Sequence, residues 1–229
     1  MSSENGSKQE IWLLRHGETE WTLSGAHTSR TDLPLTPNGE TQAAQLRDFV
    51  RGHQFTEVLS SPMRRAILTA RLAGFAPKID DGLHEWNYGD FEGRTTADIQ
   101  KDVWGWSIWT SNPPNGETAD QVKARAEKII AHCLGVNGDV ALFGHGHMFR
   151  VLAATWLGLE PQRGASFALS TASVSIRRMV GVTASPRLIS FSAKPKSPSA
   201  MMRKSQAIAR IAPPAKVCPL RAATTGLGK

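Results

Sequence analysis

Apolar residues along the first 180 positions alternate between short unbroken runs and helical repeats. EIWLLR, FTEVLSS and DVALFG are runs of strand length. They predict buried strands, the first ending at Arg15 and the last at His145. Between them, Ala43, Leu46, Phe49 and Val50 recur at helical spacing, as do Val122, Ala126, Ile129, Ile130 and Cys133. HMFRVLAATWLG predicts a further helix closed by Gly158. Local signals set the boundaries. Thr36-Pro37 starts a helix, Ser61-Pro62 caps another that runs to about Gly74, and Thr118 with Gln121 resembles a capping box. Residues 19–36 read as a loop. Residues 78–115 are irregular and aromatic, with a short helix near 96–103. SFALSTASVSIRRMV predicts two strands around a turn, and RLISF one more.

Strands alternating with helices predict an α/β fold, a three-layer α/β/α sandwich around a mainly parallel central sheet. Such sheets carry their sites at the carboxyl ends of the strands. Arg15-His16, Ser60-Ser61 and Gly144-His145 all fall at predicted strand ends, a coincidence that needs no motif to be noticed.

Composition changes this picture at the two ends. The chain has 229 residues, 40% of them hydrophobic, which suits one domain with a substantial core. Its net charge of +7 is not evenly spread. Residues 193–229 hold eight Lys or Arg, five Pro and no acidic or aromatic residue, leaving 19 basic against 20 acidic residues before them. The expected division is a disordered N-terminus at 1–9, one domain over 10–192, and a disordered basic tail at 193–229. A nucleic-acid or membrane role based on charge belongs to that tail alone. The opening MSSENGSKQE lacks the apolar centre of a signal peptide, no apolar run is of membrane-spanning length, and two cysteines do not make a disulfide framework. A soluble cytoplasmic protein is expected.

Four stretches carry candidate chemistry. In LLRHGETEW, a neutral imidazole at His16 can attack phosphorus directly. Arg15 offers a forked donor for phosphate oxygens, and Gly17 lets the backbone approach a ligand. Taken alone, the tripeptide is as readily a surface pair at a strand end. SSPMRRAILTA places Arg64 and Arg65 in the first turn of a helix, a possible anion site, though a solvated basic pair is as common there. In LHEWNYGDFEG, Glu85 lies between Leu83 and Trp86; a carboxyl group in a partly apolar site holds its proton more tightly, which makes Glu85 a candidate general acid. Asp90 and Glu92 read as structural or solvated. FGHGHMFR ends a strand at Gly-His-Gly, where His145 can reach a phosphoryl oxygen. A metal pair of His145 and His147 lacks further ligands at a recognisable spacing, and His147 reads as a helix-start residue. WGWSIW reads as satellite core packing in preference to a lid wall.

These four stretches, in this order and spacing, resemble the histidine phosphatase superfamily, also called phosphoglycerate-mutase-like, over about residues 10–180. SGAHTSRTDLPLT, EWNYGDFEG, the tryptophan region before NGET, and GHGHMFR are most similar to sedoheptulose-bisphosphatase-like members. The resemblance implies that His16 is the phosphorylated nucleophile and that Arg15 and Arg65 hold the phosphoryl oxygens. His145 would complete the pocket and Glu85 would donate the proton. Gly17, Thr22, Thr28 and Gly146 would bind substrate, with no metal and no cofactor. The partner implied is a small phosphorylated metabolite, a sugar phosphate first.

Three features depart from the family pattern. Thr22 stands where many members have Asn, His84 where the sugar-bisphosphatase group has Arg, and the basic tail is unlike the usual ending. Phosphoglycerate mutase is the alternative within the family, opposed by the short span from Gly93 to Asn115. A binding module whose tail docks on nucleic acid or anionic membrane is the alternative from another class.

Overall fold

The structure, a computed structural model, describes residues 9–178 and 187–193. The tail from 194 onward and residues 1–8 lie outside the described residues. Six strands form one sheet in the order β3-β2-β4-β1-β5-β6. They are β1 (Glu10–Arg15), β2 (Glu57–Ser60), β3 (Lys78–Ile79), β4 (Val140–Gly144), β5 (Val174–Arg178) and β6 (Arg187–Ala193). The first four in space are parallel, whereas β5 pairs antiparallel with β1 and β6 antiparallel with β5. The helices are α1 (Glu20–Ser24), α2 (Pro37–Val50), α3 (Arg64–Leu72), α4 (Thr96–Asp102), α5 (Ala119–Gly135) and α6 (Gly146–Trp156).

The strand period of two sorts the core onto two faces. From β1, Ile11 and Leu13 join Val122, Ala126 and Ile129 of α5 and Phe149 and Leu152 of α6. Trp12 and Leu14 join Leu46 and Val50 of α2 and Ala70 of α3. This is the expected three-layer sandwich. Among the described residues, no helix is long and apolar enough to cross a membrane.

The main helices and strands lie within a few residues of their predicted bounds, and four local expectations give way. Residues 166–170 form no strand, so SFALSTASVSIRRMV supplies β5 only; that stretch follows a 3-10 turn (Pro161–Ser166) and offers the Leu169 carbonyl to Arg15. The loop at 19–36 contains α1, a one-turn helix closed by a Thr19–Thr22 capping box and burying no residue, so it left no apolar signature. Helix α3 has its N-cap at Met63, two residues past the predicted cap; Ser61 Oγ accepts from the Met63 amide and meets His145 Nε2. Gln9, counted with the N-terminal segment, donates to the carbonyls of Cys133, Val136 and Gly138 and ties off the end of α5.

Candidate active site

Strand β1 delivers Arg15 and His16 to the carboxyl edge of the sheet, beside the end of β4. Arg15 pairs with Gly144, and the His16 amide donates to the Gly144 carbonyl at 3.0 Å. Beyond it the chain is bolted to two helices. The Gly17 amide donates to Thr69 Oγ1 of α3 at 3.1 Å, and the Glu18 carboxylate accepts from Thr36 Oγ1 and Asn38 Nδ2 at the start of α2. A Cβ on Gly17 would lie 2.4 Å from the Gly39 carbonyl oxygen, and one on Gly39 would lie 2.1 Å from that of Glu18. The absent side chain of Gly17 thus serves close packing against α2, and its amide is already taken by Thr69.

The His16 ring has one assigned tautomer. Nδ1 lies 2.7 Å from the Gly17 carbonyl oxygen, which can only accept, so Nδ1 carries the hydrogen and Nε2 the free lone pair. Burial holds this imidazole well below its ordinary pKa, and the positive charges of Arg65 and Arg15 push it further down. The neutral ring is the nucleophilic form.

Around His16, several buried polar groups lack partners. Arg65 is fully buried on α3 and gives its terminal nitrogens to the carbonyls of Thr31 and Ser29 at 2.9 Å, yet its Nε is unpaired. Arg15 gives one nitrogen to the Leu169 carbonyl and leaves Nε unpaired. Gly146 makes room for this guanidinium, since a Cβ there would lie 3.2 Å from Arg15 Cζ. The His145 ring stands 5.1 Å from that of His16, centroid to centroid; its Nε2 lies 2.7 Å from Ser61 Oγ and its Nδ1 has no partner. Burial, then Arg65 and His16, hold His145 well below its ordinary pKa. Two cations and three unpaired nitrogens in the same buried quarter are a preorganised anion receptor.

Glu85 does not sit in an apolar niche. Its carboxylate accepts from its neighbour Trp86 (2.9 Å) and from the His147 and Met148 amides of α6 (3.0 and 2.8 Å), while remaining 6% exposed toward the cavity. It therefore supplies the N-terminal cap that the His145 side chain does not. Arg125 of α5 fixes the loop beneath. It pairs with both carboxylate oxygens of Glu117 at 2.8 Å and donates to the Gly82 and His84 carbonyls. Glu92 is structural, as expected. Its carboxylate accepts from the Ser29 and Thr31 amides, steadying the carbonyls that Arg65 grips.

Arg15, His16, Glu85, Thr22, Thr28 and Gly146 line one cavity of about 390 Å³. Arg65 and His145 lie behind its floor, fully buried. The Thr22 hydroxyl is engaged with Thr19 in the cap of α1, and that of Thr28 donates to the Ala26 carbonyl. The walls include Trp21, His27, Tyr88, Trp109, His147 and Arg150. The tryptophans of WGWSIW divide three ways. Trp106 is core at 2% exposure, Trp109 is cavity wall, and Trp104 is 96% exposed. Core packing therefore describes Trp106 and also Trp109, which packs against the core from the cavity wall, and it does not describe Trp104.

Sequence reasoning missed Ser61 as the partner of His145, Arg125 as the support of the Glu85 loop, and His147 as a cavity residue. Ser61 looked like a cap because Ser-Pro usually is one; Arg125 carried no local signal. The metal pair of His145 and His147 does not form, because one ring faces Ser61 and the other Tyr88. Among the described residues, the grouping of three possible ligand side chains is Glu10, His53 and Asp139, at the opposite end of the sheet.

Comparison with known proteins agrees with this geometry. The sequence profile of the histidine phosphatase superfamily (branch 1) matches residues 11–187. The chain is 39% identical to an acid phosphatase of Mycobacterium tuberculosis over 171 residues, covering 72% of this chain and 84% of that protein. It is 36% identical to the sedoheptulose 1,7-bisphosphatase of Saccharomyces cerevisiae over 186 residues, covering 66% and 68%. A solved structure of a Mycobacterium tuberculosis open-reading-frame product superposes with a TM-score of 0.78 at 34% identity, covering 82% of this chain and 99% of that one. The family model, the relatives and the fold agree, and the chain belongs to the histidine phosphatase superfamily.

Proposed function

We propose that the chain hydrolyses phosphomonoesters of a small metabolite, a sugar phosphate first, through a phosphohistidine at His16. The observation that carries this is the His16 ring itself: neutral, buried, Nδ1 held by Gly17, and Nε2 open beside two guanidinium groups. Nε2 attacks the phosphorus and the ester oxygen leaves. Arg15, Arg65 and His145 match the charge on the phosphoryl oxygens, where most of the catalytic demand of this reaction lies. Because Ser61 Oγ accepts from the Met63 amide, its own hydrogen is free to bond His145 Nε2, leaving Nδ1–H to donate to the phosphoryl group. Glu85 lines the cavity and would protonate the leaving oxygen, then take a proton from the water that attacks phosphohistidine. Hydrolysis returns His16 and releases phosphate. Thr22 and Thr28 would contact the substrate from the outer wall, and Gly146 would act through the space it leaves for Arg15.

The test is phosphate release from sugar phosphates and phosphoglycerates with EDTA present, alongside rapid quenching with substrate carrying labelled phosphorus. The expected result is release together with an acid-labile, base-stable label on the wild type and neither on His16→Ala. Release that persists in His16→Ala would overturn the reading. Isomerisation of phosphoglycerate without phosphate release would replace hydrolysis by transfer.

A further inference from the structure

Among the polar side chains of the cavity that this chemistry does not use, His147 is set among aromatic rings. His147 lies at the second position of α6, its ring between Trp109 (centroids 5.2 Å) and Tyr88 (5.9 Å), with His27 at 6.0 Å. Its backbone amide belongs to Glu85. Its Nδ1 lies 2.6 Å from the Tyr88 hydroxyl. A phenol is the stronger donor of the two and an imidazole nitrogen the stronger acceptor, so Tyr88 donates and Nδ1 accepts. Burial supports the same assignment from both sides. It holds His147 well below its ordinary pKa and Tyr88 well above, so that both are neutral. The remaining hydrogen of the ring is then on Nε2, and no described residue accepts it. The next turn of α6 brings Arg150 over the Trp109 face at 4.4 Å, its Nε on the Gly164 carbonyl. One wall of the cavity is thus aromatic, with a fixed neutral N–H donor set in it.

Resting on the phosphatase reading above, we propose that His147 is a specificity-determining residue, its tautomer fixed by Tyr88 so that Nε2–H donates to a hydroxyl oxygen on the non-reacting part of a polyhydroxylated phosphate ester. A neutral donor flanked by ring faces suits a neutral hydroxyl, with the apolar face of the carbon chain against Trp109. An anionic group would be better served by Arg150. The geometry also separates the roles of the two histidines of GHGH. His145 faces the phosphoryl group, and His147 reads what the phosphate is attached to.

The experiment compares glucose 6-phosphate, fructose 6-phosphate and sedoheptulose 1,7-bisphosphate with phenyl phosphate, whose leaving group has no free hydroxyl. His147→Phe is expected to lower kcat/KM about tenfold to a hundredfold on the best sugar phosphate, mainly through KM, and less than about threefold on phenyl phosphate. His147→Gln, which restores an N–H donor, should recover most of the loss. Tyr88→Phe should give a smaller loss with the same substrate bias. Long-range proton–nitrogen NMR of the histidine rings should show Nε2–H at His147 in the wild type and a mixture of tautomers in Tyr88→Phe. Equal losses on both substrate types, no rescue by Gln, or a protonated Nδ1 in the wild type would overturn the proposal. If wild type releases phosphate from none of these esters, the phosphatase reading fails and this proposal with it, whereas normal turnover with an unchanged substrate ratio sinks the proposal alone.

Discussion

The two ends of the parallel sheet are built from similar residue types and put to opposite use. At the amino end, Asp139 accepts from the Glu10 amide at 2.7 Å and from His53 Nε2 at 2.8 Å, and the Trp12 indole donates to Glu10. At the carboxyl end, His16 and His145 face each other among buried cations, and the Nε of Arg15, the Nε of Arg65 and Nδ1 of His145 have no partner. A polar group that meets its needs inside the protein contributes to folding. A buried group left unmatched costs stability, of order 1–3 kcal/mol each, and is retained where a ligand completes it. Histidine content does not distinguish the two ends; the sign of the charge around the rings and the unmet bonds do.

The sharpest break of this comparison comes from exchanging the same kind of damage between ends. His16→Ala should lower phosphate release by about 10⁴-fold or more, with a melting temperature at or above that of the wild type. Retained turnover would place the nucleophile elsewhere. Arg65→Lys should cost about 10²–10³-fold in kcat and also lower the melting temperature, because Arg65 grips the 29–31 loop as well as facing the anion site. A loss of activity without loss of stability would show that the grip is dispensable. Asp139→Ala at the other end should cost about 1–3 kcal/mol in a denaturant titration and leave kcat/KM within about twofold. A matching loss of turnover would mean that the amino end is coupled to the chemistry.

Acid offers a gentler test. The folded state holds His16 and His145 well below their ordinary pKa, chiefly through burial. Below about pH 6.5 the unfolded chain binds protons that the native state refuses. Stability should therefore fall as the pH drops below about 6.5, with a slope of up to about 1.4 kcal/mol per pH unit for each ring. His16→Ala should flatten the slope. The smallest expected effect is that of Trp104→Ser. Its side chain is 96% exposed, and neither turnover nor melting temperature should move measurably.

The sequence disclosed whatever is local. Strand runs ending in Arg15-His16 and Gly144-His145 pointed to the carboxyl edge of the sheet, where the structure brings these residues together, because strand length and the rule for parallel sheets are both visible in one dimension. The cap of α2 at Thr36 and that of α5 at Thr118 were legible for the same reason. Contacts made across the fold were hidden. Ser61 looked like a helix cap, and only the approach of β4 to α3 gives it to His145 instead. Glu85 was found by its motif, but its bonds to the α6 amides cross more than sixty residues. Residues 166–170 alternate like a strand, yet the Leu169 carbonyl goes to Arg15 and the Phe167 amide to Gly164, and alternation carries no information about that.

The pair Gly17 and Gly39 has a mechanical consequence. The chain after His16 meets the start of α2 backbone to backbone, with no side chain between them to act as a cushion. Contact of this kind leaves no slack for a change of residue. A methyl group added at either position cannot be relieved by trimming the other, which is already glycine, so either substitution requires the helix to move.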